Sequence, residues 1–254
     1  MRQRLETHAA DLGVQSVERL EATDAAGAAL LVDRRAAPSH WSESALQSAA
    51  LGCTISHLRT IKKAYQDNCA WAIVLEDDVT FEFCKSWPAK RTLADFVAQG
   101  ASEGAQVLLL SWCLLSERNH RALANASAQK KKWMKAPRYN IYGSFAYALS
   151  RSAMKSILDQ RWAVESNTWN VCRRRPKTAP ITADALLLEQ TGLLMSTVPL
   201  VAYECLDSTV HPNHLSLHRR NLQFLRACVR QQQSTNENED SPASIEAASA
   251  SAQL

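Results

Sequence analysis

The sequence has no run of about eighteen apolar residues, so none of its helices is expected to span a membrane. Its first residues, Met1-Arg2-Gln3-Arg4-Leu5-Glu6, lack the apolar stretch of a secretory signal. Both absences favour a cytoplasmic chain that meets membranes peripherally if at all. A leader upstream of Met1 would instead direct it to the lumen of the endoplasmic reticulum or Golgi. The seven cysteines (Cys53, Cys69, Cys84, Cys113, Cys172, Cys205 and Cys228) form no Cys-x-x-Cys pair and no zinc-ligand spacing. Their odd number, irregular spacing and apolar neighbours, as in Gly52-Cys53-Thr54-Ile55, predict buried reduced thiols and no disulfide framework. A glycine-rich phosphate cradle is also missing. The net charge of +4 is too small to argue for a nucleic-acid partner. It comes from local clusters: Lys130-Lys131-Lys132 with Lys135 and Arg138, and Arg173-Arg174-Arg175. These are either solvated loops or a basic rim that attracts a phosphorylated donor or an anionic acceptor.

What is present suits one α/β domain: 254 residues, 46% of them hydrophobic, can bury a single good-sized core. Residues 2–12 read as a helix ended by Gly13, and Val14 to Leu20 as a strand. Residues 28–40 read as loop, after which Ser42 or Ser44 offers an N-cap for a long helix. Within that helix Leu51, Ile55, Leu58, Ile61 and Tyr65 form one apolar stripe. Ala70 to Leu75, the Val107-Leu108-Leu109-Leu110 of the segment Gln106 to Leu110, and Phe145 to Leu149 are apolar without alternation, as in strands covered on both faces. Ser150 and Thr182 cap two further helices, Val198 to Tyr203 reads as a strand, and 214–231 as a basic helix. Strands alternating with helices predict a mostly parallel sheet within a domain spanning 1–231. Residues 232–254 are too polar to offset their ordering entropy and read as a disordered tail.

Glu76-Asp77-Asp78 directly follows the first buried strand. Adjacent carboxylates repel one another, and the carboxyl ends of strands are where open α/β sheets bind ligands. A hard divalent ion, Mn²⁺ or Mg²⁺, takes carboxylate and phosphate oxygens together. Held there, it would stabilise a departing diphosphate as a Lewis acid. An acidic turn closing a strand, or a helix start favoured by its dipole, accounts for the cluster equally well. His57 lies beside the apolar stripe, where a hydrogen-bonded core histidine is the commoner outcome. Ser56 and His57 are expected to brace the site from behind.

Four ordered blocks resemble glycosyltransferase family 25. They are Leu51-Gly52-Cys53-Thr54-Ile55-Ser56-His57-Leu58, then Trp71 to Val79 with its Glu-Asp-Asp, then Gly143 to Ala153, and Pro180-Ile181-Thr182-Ala183-Asp184. Arg19-Leu20-Glu21-Ala22-Thr23-Asp24 is similar to a further element of that family. The resemblance implies a GT-A-like fold and an inverting hexosyltransferase. Such an enzyme takes a UDP-sugar, galactose first, to a hydroxyl on a glycan, lipid-linked saccharide or protein. It implies Asp78 as first metal ligand, with Glu76 and Asp77 sharing the ion or holding the ribose. It also implies Gly143-Ser144 against the donor, His211 ahead of His214 and His218 as a late metal ligand, and Asp184 as general base. The base deprotonates the acceptor hydroxyl; a first-turn Asp favoured by the helix dipole is the plainer reading of Asp184. Two departures stand out. One extra residue separates Pro180 from Asp184, and the hydrophobic strand that usually opens the family is not seen, so either the start lies upstream of Met1 or a central strand is lacking. The rival functions are a catalytically inactive binding module and a metal-dependent phosphoesterase or nucleotidyltransferase.

Overall fold

The computed structural model describes residues 13–14, 16–33, 48–88, 91–172, 181–203 and 215–239. Helix α1 (Ala25–Leu30) precedes the long α2 (Ala49–Gln66), strand β1 (Trp71–Leu75) and the short β2 (Val79–Thr80). A 3-10 turn at Cys84–Ser86 leads to α3 (Leu93–Ser102), β3 (Val107–Leu109), β4 (Cys113–Leu114) and α4 (Glu117–Ala128). Next come β5 (Trp133–Lys135), β6 (Ile141–Tyr142), β7 (Ala146–Ser150) and α5 (Arg151–Arg161). The hairpin of β8 (Trp162–Ala163) and β9 (Thr168–Trp169) precedes α6 (Ala183–Leu188), β10 (Leu193–Ser196), β11 (Ala202–Tyr203) and α7 (Leu215–Glu239).

The apolar runs form the centre of a five-stranded sheet in the order β1-β7-β3-β10-β5. Pairing is antiparallel between β1 and β7, β7 and β3, and β10 and β5, and parallel only between β3 and β10. The expected mostly parallel sheet is therefore a mixed one. An unalternating apolar run reveals that both faces are covered, but carries no information about strand direction. Among the described residues β1 pairs with β7 alone, at one edge.

Side chains alternate across the sheet as strand geometry requires. Val107 and Leu109 of β3, with Tyr147 and Leu149 of β7, join one core with Leu51, Ile55, Leu58 and Ile61 of α2 and Ile157 of α5. Leu108 and Leu110, with Ala146 and Ala148, join a second core with Leu93, Phe96 and Val97 of α3. The predicted stripe on α2 is buried, and Tyr65 packs partly against the first core.

Several expectations need correction. Ser48, not Ser42 or Ser44, caps α2, its hydroxyl accepting from the Leu51 N–H at 3.2 Å. Residues 16–20 form no strand, because Val17 is the only apolar side chain among Ser16 to Arg19 and it is exposed. Residues 25–30, partly read as loop, form α1, whose cap is Asp24 accepting from the Gly27 N–H at 2.6 Å. Strand β10 was not foreseen, and the expected strand Val198 to Tyr203 is reduced to Ala202–Tyr203. Helix α7 continues to Glu239, into the expected tail. Gln and Glu are good helix formers, and extending an existing helix avoids the nucleation cost. The caps at Ser150 and Thr182 are as expected. Residues 1–12, the Arg173–Arg175 cluster and residues 240–254 lie outside the described residues. No disulfide joins the described cysteines, but of the expected buried thiols only Cys113 is buried and the others are half-buried; Cys205 lies outside the described residues.

Candidate active site at the carboxyl end of strand β1

Strand periodicity decides where the acidic cluster points. Val74 pairs with Tyr147 in the register of β1 and β7, and both belong to the core beneath α2. Glu76, two residues on, faces the same way, and its N–H continues the ladder to the Phe145 carbonyl at 2.9 Å. Helix α2 meets it there with His57, which is 6% exposed. His57 Nε2 donates to Glu76 Oε1 at 3.0 Å, while Nδ1 lies 2.9 Å from the Tyr147 hydroxyl. Burial opposes a charged imidazole, but Tyr147, Cys53 and Glu76 outweigh it and hold the His57 pKa well above 6.5. Burial also opposes a charged Glu76. The hydrogen bond and charge of His57, then Ser144, then the charge of His218, nevertheless bring its pKa below 4.5.

The rest of the Gly-Cys-x-x-Ser-His segment is a platform. A Cβ on Gly52 would lie 2.6 Å from the Thr23 carbonyl oxygen, so only glycine lets residues 23–24 cross α2 this closely. Ser56 Oγ accepts from the Thr23 N–H and donates to the Gly52 carbonyl, both at 2.8 Å. Of the expected brace, His57 reaches the acidic cluster and Ser56 secures the preceding segment.

A second carboxylate arrives from α6. Thr182 caps that helix, its hydroxyl accepting from the Ala185 N–H at 3.3 Å, which places Asp184 in the first turn. Asp184 Oδ1 accepts the main-chain N–H groups of Gly143 and Ser144 at 2.8 and 3.0 Å. Ser144 Oγ in turn donates to Glu76 Oε1 at 3.3 Å. Ser144 thus joins the two acids. Burial raises the Asp184 pKa above 3.8, the Gly143 and Ser144 N–H groups opposing it and the Glu76 charge adding to it. A Cβ on Gly143 would lie 3.0 Å from a Leu109 methyl, so its small size here serves the end of β3.

The three consecutive acids differ in surroundings. Glu76 keeps 31% of its side chain exposed. Asp77 is exposed on the turn that leads to β2, and Asp78 is half-buried with Oδ1 out of contact with solvent. His211 and His214 lie outside the described residues, and half-buried His218 on α7 is the late histidine whose charge reaches Glu76. An oxygen-only set of carboxylates fits a hard divalent ion. Among the described residues Glu76 Oε2 accepts no hydrogen bond and Asp77 makes none, so both have capacity for a ligand. Cys53, His57 and Glu76 also place ligand atoms within 4.8 Å of one another, but both ring nitrogens of His57 are already engaged. Tyr147 was read from the sequence only as a strand residue. Its place opposite Val74, two residues before Glu76, is the signal that would have found it.

No helix among the described residues is long and apolar enough to cross a membrane. Comparison with curated proteins gives no match, and comparison with solved structures gives none. Residues 33–168 match the family model of glycosyltransferase family 25 (LPS biosynthesis protein). That span is more than half of the 254-residue chain. It contains His57, Glu76 to Asp78, Gly143, Ser144 and Tyr147, and ends before Asp184. The chain therefore belongs to glycosyltransferase family 25.

Proposed function

We propose that the chain transfers a hexose from a nucleotide sugar to a hydroxyl acceptor, with inversion and with the help of a divalent metal, on a GT-A-like scaffold. The observation that carries this reading is the Ser144 bridge between Glu76, at the end of β1, and Asp184, at the start of α6. It gathers two acids of opposite character into one place. Glu76 is held ionised and suits cation or donor binding, while burial makes Asp184 a stronger base than an ordinary aspartate.

In this reading Asp78 and Glu76 hold Mn²⁺ or Mg²⁺, with His211 as a further ligand, and Asp77 and Glu76 approach the ribose. Gly143 and Ser144 line the donor side. The metal supplies Lewis-acid stabilisation of the leaving nucleoside diphosphate. Asp184, with Oδ1 committed to Gly143 and Ser144, takes the acceptor proton on Oδ2 as the hydroxyl oxygen attacks the anomeric carbon. The acceptor is a glycan, a lipid-linked saccharide or a hydroxylated protein, and UDP-galactose is the first donor to try.

The test is to incubate the purified chain with Mn²⁺ and a panel of sugar nucleotides and to follow nucleoside diphosphate release. Slow release that Asp78→Ala abolishes is expected. Release of phosphate or pyrophosphate would move the assignment to a phosphoesterase or nucleotidyltransferase. A folded protein that neither turns over nor binds any nucleotide sugar would be a binding module.

A further inference from the structure

We propose that His57, held in place by Tyr147, is the positioning residue that fixes the Glu76 carboxylate for ligand binding. The inference rests on the reading of Glu76 as part of the donor and metal site, and adds the device that orients it. Glu76 stands just past the last residue of β1, where the ladder holds its main chain and leaves its side-chain torsions free. Two donors remove that freedom. His57 Nε2 and Ser144 Oγ both reach the same oxygen, Oε1, at 3.0 and 3.3 Å. The convergence turns one oxygen inward and leaves Oε2 as the atom free to meet a cation or a ribose hydroxyl.

The arrangement needs a fixed imidazole with a proton on Nε2, and Tyr147 holds the far side of the ring. Its hydroxyl is buried with the ring at 1% exposure and has Nδ1 as its hydrogen-bond partner at 2.9 Å. In the imidazolium both ring nitrogens donate, Nδ1 to the tyrosine oxygen and Nε2 to Glu76; in the neutral ring the tyrosine donates to Nδ1, and Nε2 keeps the hydrogen that Glu76 accepts. The imidazole plane is fixed from both sides, since α2 carries His57 and β7 carries Tyr147 at the register position opposite Val74. The described hydrogen bonds of the pair run from Tyr147 to His57 and from His57 to Glu76, so both act through Glu76. Outer partners of this kind govern ligand affinity by holding the inner ligand in one orientation.

The experiment is a double-mutant cycle on the full chain, read as UDP affinity by calorimetry with and without Mn²⁺, with thermal unfolding measured in parallel. His57→Gln in the otherwise native protein is expected to weaken Mn²⁺-dependent UDP binding about 10-fold or more. In a Glu76→Gln background the same change is expected to cost less than about 2-fold, because its route of action is gone. Equal losses in both backgrounds would make His57 merely structural and overturn the proposal. If Glu76→Gln alone leaves UDP and Mn²⁺ binding intact, the site reading itself is wrong. Tyr147→Phe provides a variant of unchanged shape. On the ligand-free protein, the ¹⁵N spectrum of His57 should report a protonated Nε2, and Tyr147→Phe should shift it. An unprotonated Nε2, or a spectrum indifferent to the missing hydroxyl, would refute this hydrogen-bond arrangement.

Discussion

Glu76 and Asp77 are chemically similar neighbours on one turn, yet they inhabit different environments. Glu76 inherits the inward direction of Val74, meets His57 and Ser144, and is held ionised. Asp77, one residue later, lies on the turn and stands exposed without a hydrogen bond among the described residues. A run of like charges is therefore tolerable because the chain leaves the strand within it. One acid is anchored to the protein, and the next is left for what the protein binds.

The largest effect should come from Glu76→Ala. It should lower nucleoside diphosphate release on the order of 100-fold. It also leaves the buried His57 donor unmatched, which costs about 1–3 kcal/mol in chemical denaturation. Asp77→Ala should reduce release by about 10-fold and leave the unfolding free energy within about 0.5 kcal/mol of the native value. A fall in stability as large as that of Glu76→Ala would erase the distinction. Gly52→Ala strikes the platform instead, driving a methyl towards the Thr23 carbonyl at 2.6 Å. About 1–3 kcal/mol of destabilisation is expected, with activity per folded molecule retained. The smallest effect concerns pH. Because burial raises the Asp184 carboxyl above 3.8, kcat should rise with pH through an acidic limb that lies above that value. A rate flat from pH 4 upward would remove Asp184 as the base.

Much of the architecture was legible where a single element carries its own signal. The stripe from Leu51 to Ile61, the apolar run into Glu76, and the hydroxyl caps at Ser150 and Thr182 all follow from local periodicity or local hydrogen bonding. Helix α1 was missed because Ala25–Leu30 is short and contains Gly27, and its stability comes from the Asp24 cap and from packing against α2. Strand direction was misjudged because Ala146 to Ser150 is buried on both faces whichever way it runs. At the site, Glu76 and Asp184 were identifiable as acids in promising places. The Tyr147–His57 contact and the Ser144 bridge were not, since they join residues 90, 68 and 40 positions apart. Such pairings are created by the register of β1 against β7 and by the docking of α2 and α6, which no window of sequence contains.

The grip of Asp184 on residues 143 and 144 is made to main-chain N–H groups rather than to side chains. It acts as a ruler whose length is one aspartate. Glutamate there would keep the charge but, with an added methylene, push the Gly143-Ser144 corner away from α6 and carry the serine hydroxyl off Glu76. Replacing Ser144 by alanine would spare the ruler and cut only the link beyond it. The spacing between the two acids is thus encoded in the peptide backbone, and the communication between them in a single hydroxyl.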